Sequence, residues 1–338
     1  MTSPTQPLRR SGHEIVDYDS GFDYRAFWGN RDYEQWVEAR TLRRLLPRLG
    51  RSDWFADFGG GYGRNAAHYL NLAEHTILVD YSVTQLSRAA ELLEDQIKTG
   101  KLHLMRADLG HLPLIDGAVD TAMVIRVLHH LSDADRCLGE MSRVVGRRWL
   151  VDVPIKHHVL ARLRSAGRGS SSGVRGPEPI VTGSTEYPFY TFQLAAVRSR
   201  LRRAGFRPHS AASVNNFRRW DQHIPPAVVR PLRPVVYPLE LALQRIGRGW
   251  WGPSQFLFAT RVRAQSARLL PADPSTPGNL AGLSRRTRCP ECSSQLGWTM
   301  AQASCAACGR RYPFREGFWD FSTGAGQPSP EVLGGPDG

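Results

Sequence analysis

The chain has 338 residues, of which 41% are hydrophobic and 22% charged, enough for one large α/β domain and a small second unit. This composition excludes disorder along the whole chain and fibrous architectures. The sequence has no apolar run long enough to span a bilayer, and its N-terminus lacks the apolar stretch of a signal peptide. We therefore expect a cytoplasmic protein without a transmembrane segment.

The formal net charge of +13 is concentrated in one segment. Residues 157–270 contain 18 Arg and four acidic residues, whereas residues 1–150 carry 19 basic and 20 acidic side chains. Such a segment is expected to face RNA or an anionic membrane surface. A compositional bias is the alternative, because only three of the 44 basic residues are lysines.

Strands and helices alternate through the first half of the chain. Apolar runs predict five strands, at residues 54–58, 75–80, 102–108, 120–127 and 147–154. Helical spacing predicts three helices, at residues 32–49, 82–97 and 132–145, the last with Ser132 as its N-cap. This order predicts an α/β fold with a doubly wound, mostly parallel sheet that helices cover on both faces.

The second half of the chain is less regular. The pattern predicts a loop at 165–185, a helix at 191–205, strands at 206–214 and 254–264, and an irregular, basic, lid-like insertion at 216–252. The chain thus divides into N-terminal cap helices (1–49), an α/β domain (50–264), a linker (265–286), a compact unit (287–323) and a disordered tail (324–338).

The segment DFGGGYG lies where the first strand ends and the next helix begins. Its alternate glycines, Gly59, Gly61 and Gly63, let the backbone turn sharply and approach a ligand at the carboxyl edge of the sheet. The spacing differs from the dinucleotide fingerprint, because Arg64 stands where the third glycine would be. A bare strand-to-helix turn is the alternative interpretation.

Acidic residues follow the next two strands as well. Asp80 can accept hydrogen bonds from both hydroxyls of a ribose, and Asp108 can accept one from an exocyclic adenine amine. Either residue alone is typical of a cap or turn. Three acidic positions at successive strand ends, Asp57 included, favour a ligand site.

These motifs, with VIRVLHHLSDADR and FLFATR, resemble those of the class I S-adenosylmethionine (SAM)-dependent methyltransferases. The likeness is specific over residues 50–155 and looser up to residue 264. It implies a Rossmann-like sheet of seven strands and SAM as the cofactor. It also assigns the methionine part of SAM to Asp57 and to the backbone of the three glycines.

The same resemblance implies roles for neighbouring residues. Asp80 would hold the ribose, Asp108 and the Leu109 backbone the adenine, and Tyr81 would pack beside the base. The segment FWGNRDYE resembles the helix that covers the methionine end in related enzymes, and it supplies three weaker candidates, Trp28, Arg31 and Tyr33. Surface packing is the alternative role for each of these three.

Arg126, His129 and His130 follow the fourth strand, where the acceptor should arrive. A histidine there could remove a proton from a hydroxyl or an acidic carbon. The alternative is that VLHHL is a shape motif in which one histidine packs against the loop. We therefore treat these three residues as the candidate catalytic group.

The region after the fourth strand also narrows the acceptor. It lacks the Asn/Asp-Pro-Pro-aromatic run of exocyclic amine methylators and the Pro-Cys nucleophile that attacks cytosine. The segment resembles quinone-biosynthesis C-methyltransferases and their small-molecule relatives, and equally tRNA wobble-uridine methyltransferases. Both classes of substrate remain open.

Four of the five cysteines form two C-x-x-C pairs, Cys289 with Cys292 and Cys305 with Cys308. This spacing suits a tetrahedral, structural Zn²⁺ site. Disulfides are the alternative, and the expected cytoplasmic location disfavours them. Residues 287–321, ending in GRRYPFREGFWDF, resemble the small zinc-ribbon activators of methyltransferases, which leaves open whether the ribbon docks on its own catalytic domain.

The leading hypothesis is a SAM-dependent methyltransferase that acts on an oxygen or carbon, less readily a nitrogen, of a small-molecule or lipid- or carrier-linked metabolite. The first alternative is an RNA-modifying methyltransferase, which the basic segment and the ribbon favour. The second is a non-catalytic partner that keeps the SAM fold and uses the ribbon for binding.

Overall fold

The computed structural model describes residues 8–10, 13–15, 31–167, 176–183, 188–218 and 226–322. Trp28 and the predicted tail at 324–338 lie outside these residues, as do parts of the predicted loop at 165–185. Two antiparallel strand pairs lie outside the large sheet: β1 (Leu8–Arg10) with β2 (His13–Ile15), and β8 (Ile180–Gly183) with β9 (Pro188–Thr191).

One large sheet organises the rest of the chain. Its first seven strands in chain order are β3 (Ser52–Phe58), β4 (Ala73–Asp80), β5 (Leu102–Arg106), β6 (Val119–Val124), β7 (Val145–Pro154), β10 (Phe206–Val214) and β11 (Ser254–Arg261). They lie in the order β10-β11-β7-β6-β3-β4-β5. The five strands from β3 to β7 pair in parallel, whereas β10 and β11 are antiparallel. The predicted doubly wound, mostly parallel, seven-stranded methyltransferase sheet is confirmed.

Eight α-helices are present in the described part of the chain. They are α1 (Asp32–Leu45), α2 (Val83–Leu92), α3 (Glu94–Lys98), α4 (Ala134–Val144), α5 (Val159–Gly167), α6 (Leu194–Arg203), α7 (Pro226–Ile246) and α8 (Ala281–Ser284). They accompany two separate clusters of buried apolar side chains that share the sheet strands. Among the described helices, none combines the length and hydropathy that a membrane crossing requires.

Two local predictions were wrong. The N-cap of α4 is Asp133 rather than Ser132, because the Asp133 carboxylate accepts a 3.0 Å hydrogen bond from the Arg136 amide. The insertion at 216–252 is not irregular, since it contains the 21-residue helix α7. Three prolines interrupt the hydrogen bonding of this helix, but all three side chains point outward. Tertiary contacts of the inner face therefore outweigh the helix-breaking signal.

The C-terminal unit extends the same sheet. Its strands β12 (Leu296–Trp298), β13 (Gln302–Cys305), β14 (Arg311–Arg315) and β15 (Phe318–Asp320) form an antiparallel meander. Strand β15 pairs in parallel with β5, so the sheet has eleven strands in all. The ribbon-like unit thus docks on the catalytic domain and covers an edge that would otherwise be open.

The predicted linker at 265–286 is packed against the α/β domain. Leu280 and Leu283 are buried, and the chain at Gly282 runs so close to the Trp54 ring that a Cβ there would meet it at 2.9 Å. The Ile115 amide donates to the Arg286 carbonyl at 2.9 Å. This segment therefore fixes the ribbon in place rather than tethering it loosely.

Candidate cofactor and acceptor site

The glycine turn lies between β3 and β4 at the carboxyl edge of the sheet. Gly59, Gly61 and Gly63 have φ values of 70°, 55° and 79°, in the left-handed region that favours glycine. A Cβ at Gly59 would lie 2.3 Å from a Val127 methyl carbon, whereas one at Gly61 would meet nothing within 4 Å. Gly59 is therefore required by packing, and Gly61 borders open space where a ligand can approach the backbone.

Asp57 lies at the end of β3 beneath this turn. Asp57 is 2% exposed, and its Oδ2 atom makes no well-formed hydrogen bond within the described residues. Desolvation raises the pKa of Asp57 to about 7, although the buried Tyr69 hydroxyl beside the carboxylate lowers this pKa. A buried carboxylate with only a neutral hydroxyl given as its side-chain donor is costly to ionise, so the site fits a ligand that brings a cationic N–H group. The ammonium of the methionine part of SAM is such a group.

Asp80 closes the turn from the neighbouring strand. Its Oδ2 atom accepts a 2.8 Å hydrogen bond from the Gly61 amide, and its Oδ1 atom accepts one of 3.0 Å from the Ser82 amide. These bonds hold the carboxylate at the rim of the open space beside Gly61. The arrangement suits the predicted ribose contact, because a positioned carboxylate can accept bonds from two adjacent hydroxyls.

The expected adenine residues line the next strand ends. The Asp108 Oδ1 atom accepts a 2.8 Å hydrogen bond from the Gly110 amide, and Asp108 and Leu109 are both buried. The Tyr81 ring lies under the guanidinium of Arg106, 5.0 Å from its centroid. The structure therefore brings Asp57, Asp80, Tyr81, Asp108 and Leu109 to one edge of the sheet.

A buried ionic cluster joins α1 to the end of β6. Glu34 and Glu38 are each 1% exposed, and both bind Arg126, at 3.1 Å to its Nη2 and Nε atoms respectively. Arg31 adds a 3.0 Å bond to Glu34, and Arg64 pairs with Glu38. Burial alone would raise the pKa of Glu38, but Arg64 and Arg126 hold it below its ordinary value.

The cluster defines what Arg126 and Arg31 do in this structure. Arg126 adopts a φ of 61°, and its amide donates to the Asp152 Oδ2 atom at 3.2 Å. Its guanidinium is held by two buried carboxylates, so its removal would leave uncompensated charge, a change that typically costs about 3–5 kcal/mol. Arg126 thereby ties α1 to the end of β6, whereas Arg31, directly before α1, binds Glu34 of the same helix.

His129 and His130 follow Arg126 in a short helical turn. Their ring centroids are 3.7 Å apart, and the His129 ring lies 4.4 Å from that of Phe189. Desolvation lowers the pKa of His130 to about 3, and burial with the His130, Arg126 and Arg218 charges lowers that of His129. With a pKa of about 3, the His130 imidazole is neutral at physiological pH and is a weak proton acceptor.

Glu34 and Glu38 were missed by sequence reasoning. They lie four residues apart on α1, beside the buried Val37 and Thr41. Two acidic residues on the apolar side of a predicted helix were the available signal, because charged side chains at such positions must be paired when buried. Their partners could not be read from the chain, since Arg126 is 88 residues from Glu38.

The four cysteines of the C-x-x-C pairs converge as predicted. Their sulfur atoms all lie within 4.8 Å of one another, with 3.6 Å between Cys289 and Cys308 and 3.4 Å between Cys292 and Cys305. These separations exceed an S–S bond of about 2.05 Å, and all four residues are free thiols. The Tyr312 hydroxyl lies 3.1 Å from the Cys289 sulfur and can donate to it.

The two cysteine turns have the same backbone geometry. In the first, the Ser293 amide donates to the Cys289 carbonyl at 2.8 Å, and Ser293 has a φ of 62°. In the second, the Gly309 amide donates to the Cys305 carbonyl at 2.9 Å, and Gly309 has a φ of 72°. Each turn thus directs two sulfurs toward a common centre, which is the arrangement of a tetrahedral metal site.

Residues 56–148 match the family model described as "Methyltransferase domain". An O-methyltransferase of Pyrenophora dematioidea is 28% identical over 138 residues, which cover 39% of this chain and 52% of that protein. The ubiquinone/menaquinone biosynthesis C-methyltransferase UbiE of Vibrio cholerae is 31% identical over 100 residues, covering 28% of this chain and 38% of that enzyme. The chain therefore spans about half or less of the length of these curated relatives.

The fold also resembles that of a solved structure, the magnesium protoporphyrin IX methyltransferase ChlM from Synechocystis PCC 6803 with bound SAH. The sequence identity is 16% and the TM-score 0.44, over 72% of this chain and 90% of that one. The matched segment contains the strand ends that carry Asp57, Asp80 and Asp108, and over residues 56–148 the chain is similar to a methyltransferase domain. Its acceptor is not defined by these comparisons.

Proposed function

We propose that the protein transfers a methyl group from SAM to an oxygen or carbon, less readily a nitrogen, of a small-molecule or lipid- or carrier-linked acceptor. The observation that carries this proposal is the buried Asp57 carboxylate, whose pKa is raised by burial, directly under a glycine turn that faces open space. A protein that binds no cationic ligand at this position has no need of this costly arrangement.

The residues of the chain bind and orient rather than react. SAM, when bound, supplies the electrophilic methyl carbon for an in-line displacement. Asp57 and the Gly61 backbone hold the methionine end, Asp80 the ribose, and Asp108 with Leu109 the adenine. The cluster of Glu34, Glu38 and Arg126 positions α1 over the methionine end, which excludes water there and fixes the direction of attack.

The histidines favour an acceptor that is itself acidic. Because burial makes His130 a weak base, a phenol, an enol or an activated carbon suits the site better than an alcohol that needs strong deprotonation. The two relatives methylate oxygen and carbon by name, which agrees with this range. His129 and His130 then orient the acceptor or hold its proton near the end of β6.

The four cysteines fit a structural Zn²⁺ ion. Four sulfurs about 2.3 Å from one Zn²⁺ stand roughly 3.8 Å apart, close to the 3.4 and 3.6 Å separations here. The Tyr312 hydroxyl would orient one thiolate. We expect one zinc per chain, measured by elemental analysis, and a metal-free reduced protein with a protease-resistant ribbon would contradict the assignment.

RNA as the acceptor is less well supported by the contacts of the basic segment. Several of its arginines are engaged within the chain: Arg200 pairs with Asp135, Arg218 lies 3.8 Å from Glu34, and Arg233 pairs with Asp32 at 3.1 Å. Arg261 donates to main-chain carbonyls. Part of the excess charge is therefore engaged within the chain, and a small-molecule or lipid-linked acceptor remains the better proposal.

Titration calorimetry with SAM tests the proposal. We expect one binding site per chain, and S-adenosylhomocysteine, which keeps the same ammonium, ribose and adenine, should compete for it. A folded protein with no detectable affinity for either compound would support the non-catalytic alternative instead. If SAM does bind, mass spectrometry of ligands that co-purify with the protein would identify the class of acceptor.

A further inference from the structure

Helix α7 presents an apolar outer face to solvent. Ten positions with described side chains are exposed along it, and nine of these are apolar. They are Val228, Pro231, Leu232, Pro234, Val235, Pro238, Leu239, Ala242, Arg245 and Ile246. The large members are between 42% exposed at Leu232 and 71% at Ile246. We call the nine apolar members, without Arg245, the apolar face. Such a continuous stripe on a helix surface marks an interaction site.

Buried polar contacts fix which side of α7 points outward. The Tyr33 hydroxyl donates to Glu240 at 2.6 Å, and the Asn216 amide donates to the same carboxylate at 3.0 Å. Gln244 donates to the Thr41 hydroxyl at 2.9 Å. Rotation of the helix to bury its apolar face would break all three contacts in the interior, so the face is exposed by construction.

A cluster of arginines borders the apolar face. It contains Arg40, Arg43, Arg44 and Arg48 from α1 and the turn after it, with Arg245 and Arg248 at the end of α7. None of the six forms an ion pair with an acidic residue in the described part of the chain. Burial and repulsion from Arg245, Arg48, Arg248 and Arg40 lower the pKa of Arg44. The cluster thus has no internal counter-charge and favours an external anion.

A groove connects the two surfaces. It lies between α1 and α7, has a volume of about 360 Å³, and is lined by Trp36, Arg40, Arg43, Tyr237, Pro238 and Leu241, among others. The Trp36 and Tyr237 rings stack at its base, 3.9 Å apart. Guanidinium groups and apolar side chains therefore lie within one opening, which suits a phosphate joined to a hydrocarbon chain.

The apolar face and the arginine cluster together distinguish between possible binding partners. A second copy of the chain would place arginine clusters against each other, which is repulsive. RNA would use the guanidinium groups but would leave nine apolar side chains exposed to water. A bilayer with anionic lipids buries the apolar face and neutralises the arginines at once. The exposed Trp250 beyond the end of α7 is also typical of a membrane interface.

We propose that the apolar face of α7 and the adjoining arginine cluster form a docking surface for an anionic lipid bilayer, with α7 lying in the plane of the interface. This goes beyond methyl transfer and does not depend on it. It brings the enzyme to a membrane in which a lipid-linked acceptor would reside. Helix α1 lies between the docking surface and the strand ends, because its Glu34 binds Arg126 there.

Vesicle co-sedimentation of the full chain tests the proposal. We expect binding to vesicles of phosphatidylcholine and phosphatidylglycerol in equal parts, and much weaker binding to phosphatidylcholine alone. The triple variant L232E/V235E/L239E should lose at least about tenfold in affinity, since carboxylates cannot enter the interface. The variant R40Q/R43Q/R245Q should lose roughly fivefold per guanidinium and become less sensitive to salt.

Two control variants test whether a loss of vesicle binding is specific to the docking surface. Leu92 and Met300 are 60% and 57% exposed elsewhere on the surface, so L92E/M300E should bind vesicles like the unchanged chain. R147Q/R203Q/R207Q removes three exposed arginines outside the cluster and should have a much smaller effect. SAM affinity should be equal in all variants, which separates this proposal from the methyltransferase assignment.

Three outcomes would overturn the proposal. One is the absence of binding to anionic vesicles at physiological salt. Another is a change of molecular mass in L232E/V235E/L239E, which would make the face an interface between copies. The third is tight RNA binding by the unchanged chain that is lost in R40Q/R43Q/R245Q, together with no binding of the unchanged chain to vesicles.

Discussion

The fold changes the protonation of Asp57, the buried carboxylate under the glycine turn. Burial raises its pKa to about 7, so the folded protein binds a proton that the unfolded chain releases near pH 4. Its contribution to stability is therefore fully present below about pH 4 and is lost as pH rises through about 7. A bound cationic ligand lowers the pKa of Asp57 again, because it stabilises the ionised carboxylate.

We predict from this that SAM binds more tightly as pH rises toward 7. Affinity should increase up to about tenfold per pH unit below the pKa and level off above it, since binding the ammonium requires the charged carboxylate. Calorimetry between about pH 5.5 and 7.5 measures the slope. Asp57→Asn should bind weakly with a flat profile, and a sloping profile in that variant would assign the titration to another group.

Asp80 gives a second prediction at the residue scale. Asp80→Ala should weaken SAM binding by about 1–3 kcal/mol, because two ribose hydroxyls lose a charged acceptor. Asp95→Ala removes an exposed carboxylate from α3 and serves as the control. Equal SAM affinity in both variants, with circular dichroism unchanged, would remove Asp80 from the site.

At the scale of secondary-structure elements, the sequence predicted those strands and helices whose own residues follow a periodic apolar pattern. The strands from β3 to β7 were readable because apolar runs alternate with helical patterns. Helix α7 was not, since Pro231, Pro234 and Pro238 signal a break that only tertiary contacts to Glu240 overcome. The sequence did not show the partner of Glu34 and Glu38 for the same reason, because Arg126 is 92 and 88 residues away from them in the chain.

The sequence also left open whether the ribbon docks on its own catalytic domain, because that contact is again between residues far apart in the chain. Strand β15 has three residues, so no pattern of its own indicates which edge it joins. The structure shows why it joins β5: Arg106 binds the buried Asp320 at 3.4 Å, and the Phe321 amide donates to the Arg106 carbonyl at 2.9 Å. Arg106 also covers the Tyr81 ring, so the ribbon touches a residue of the cofactor site through one side chain.

The paired cysteine turns give a prediction for the ribbon itself. Ser293 holds the left-handed conformation that Gly309 holds in the matching turn, at a cost of roughly 1–2 kcal/mol for a residue with a Cβ. Ser293→Gly should therefore raise the free energy of unfolding of the ribbon by up to about 1 kcal/mol. Ser304→Gly, within β13, is the control and should lower it. Zinc release by a chelator, followed with a chromogenic indicator, compares the variants.

At the scale of the whole molecule, the ribbon completes the sheet. Without residues 287–338, β5 would present an open edge, and the apolar contacts of Phe318, Trp319 and Phe321 would be lost. We predict that a chain truncated after residue 286 aggregates, because an uncovered hydrophobic edge strand pairs with other chains. Light scattering and sedimentation of freshly purified protein measure this directly.

The ribbon supplied in trans distinguishes an edge effect from a general folding defect. Co-expression of residues 287–338 with the truncated chain should restore solubility, since the pairing of β15 with β5 can also form between two separate chains. SAM affinity of the reconstituted pair should match that of the intact chain, because Asp320 would again hold Arg106 over Tyr81. Arg106→Ala in the intact chain should remain soluble but bind SAM less tightly. A truncated chain that stays monomeric with unchanged SAM affinity would show that β5 needs no cover and that the ribbon serves another partner.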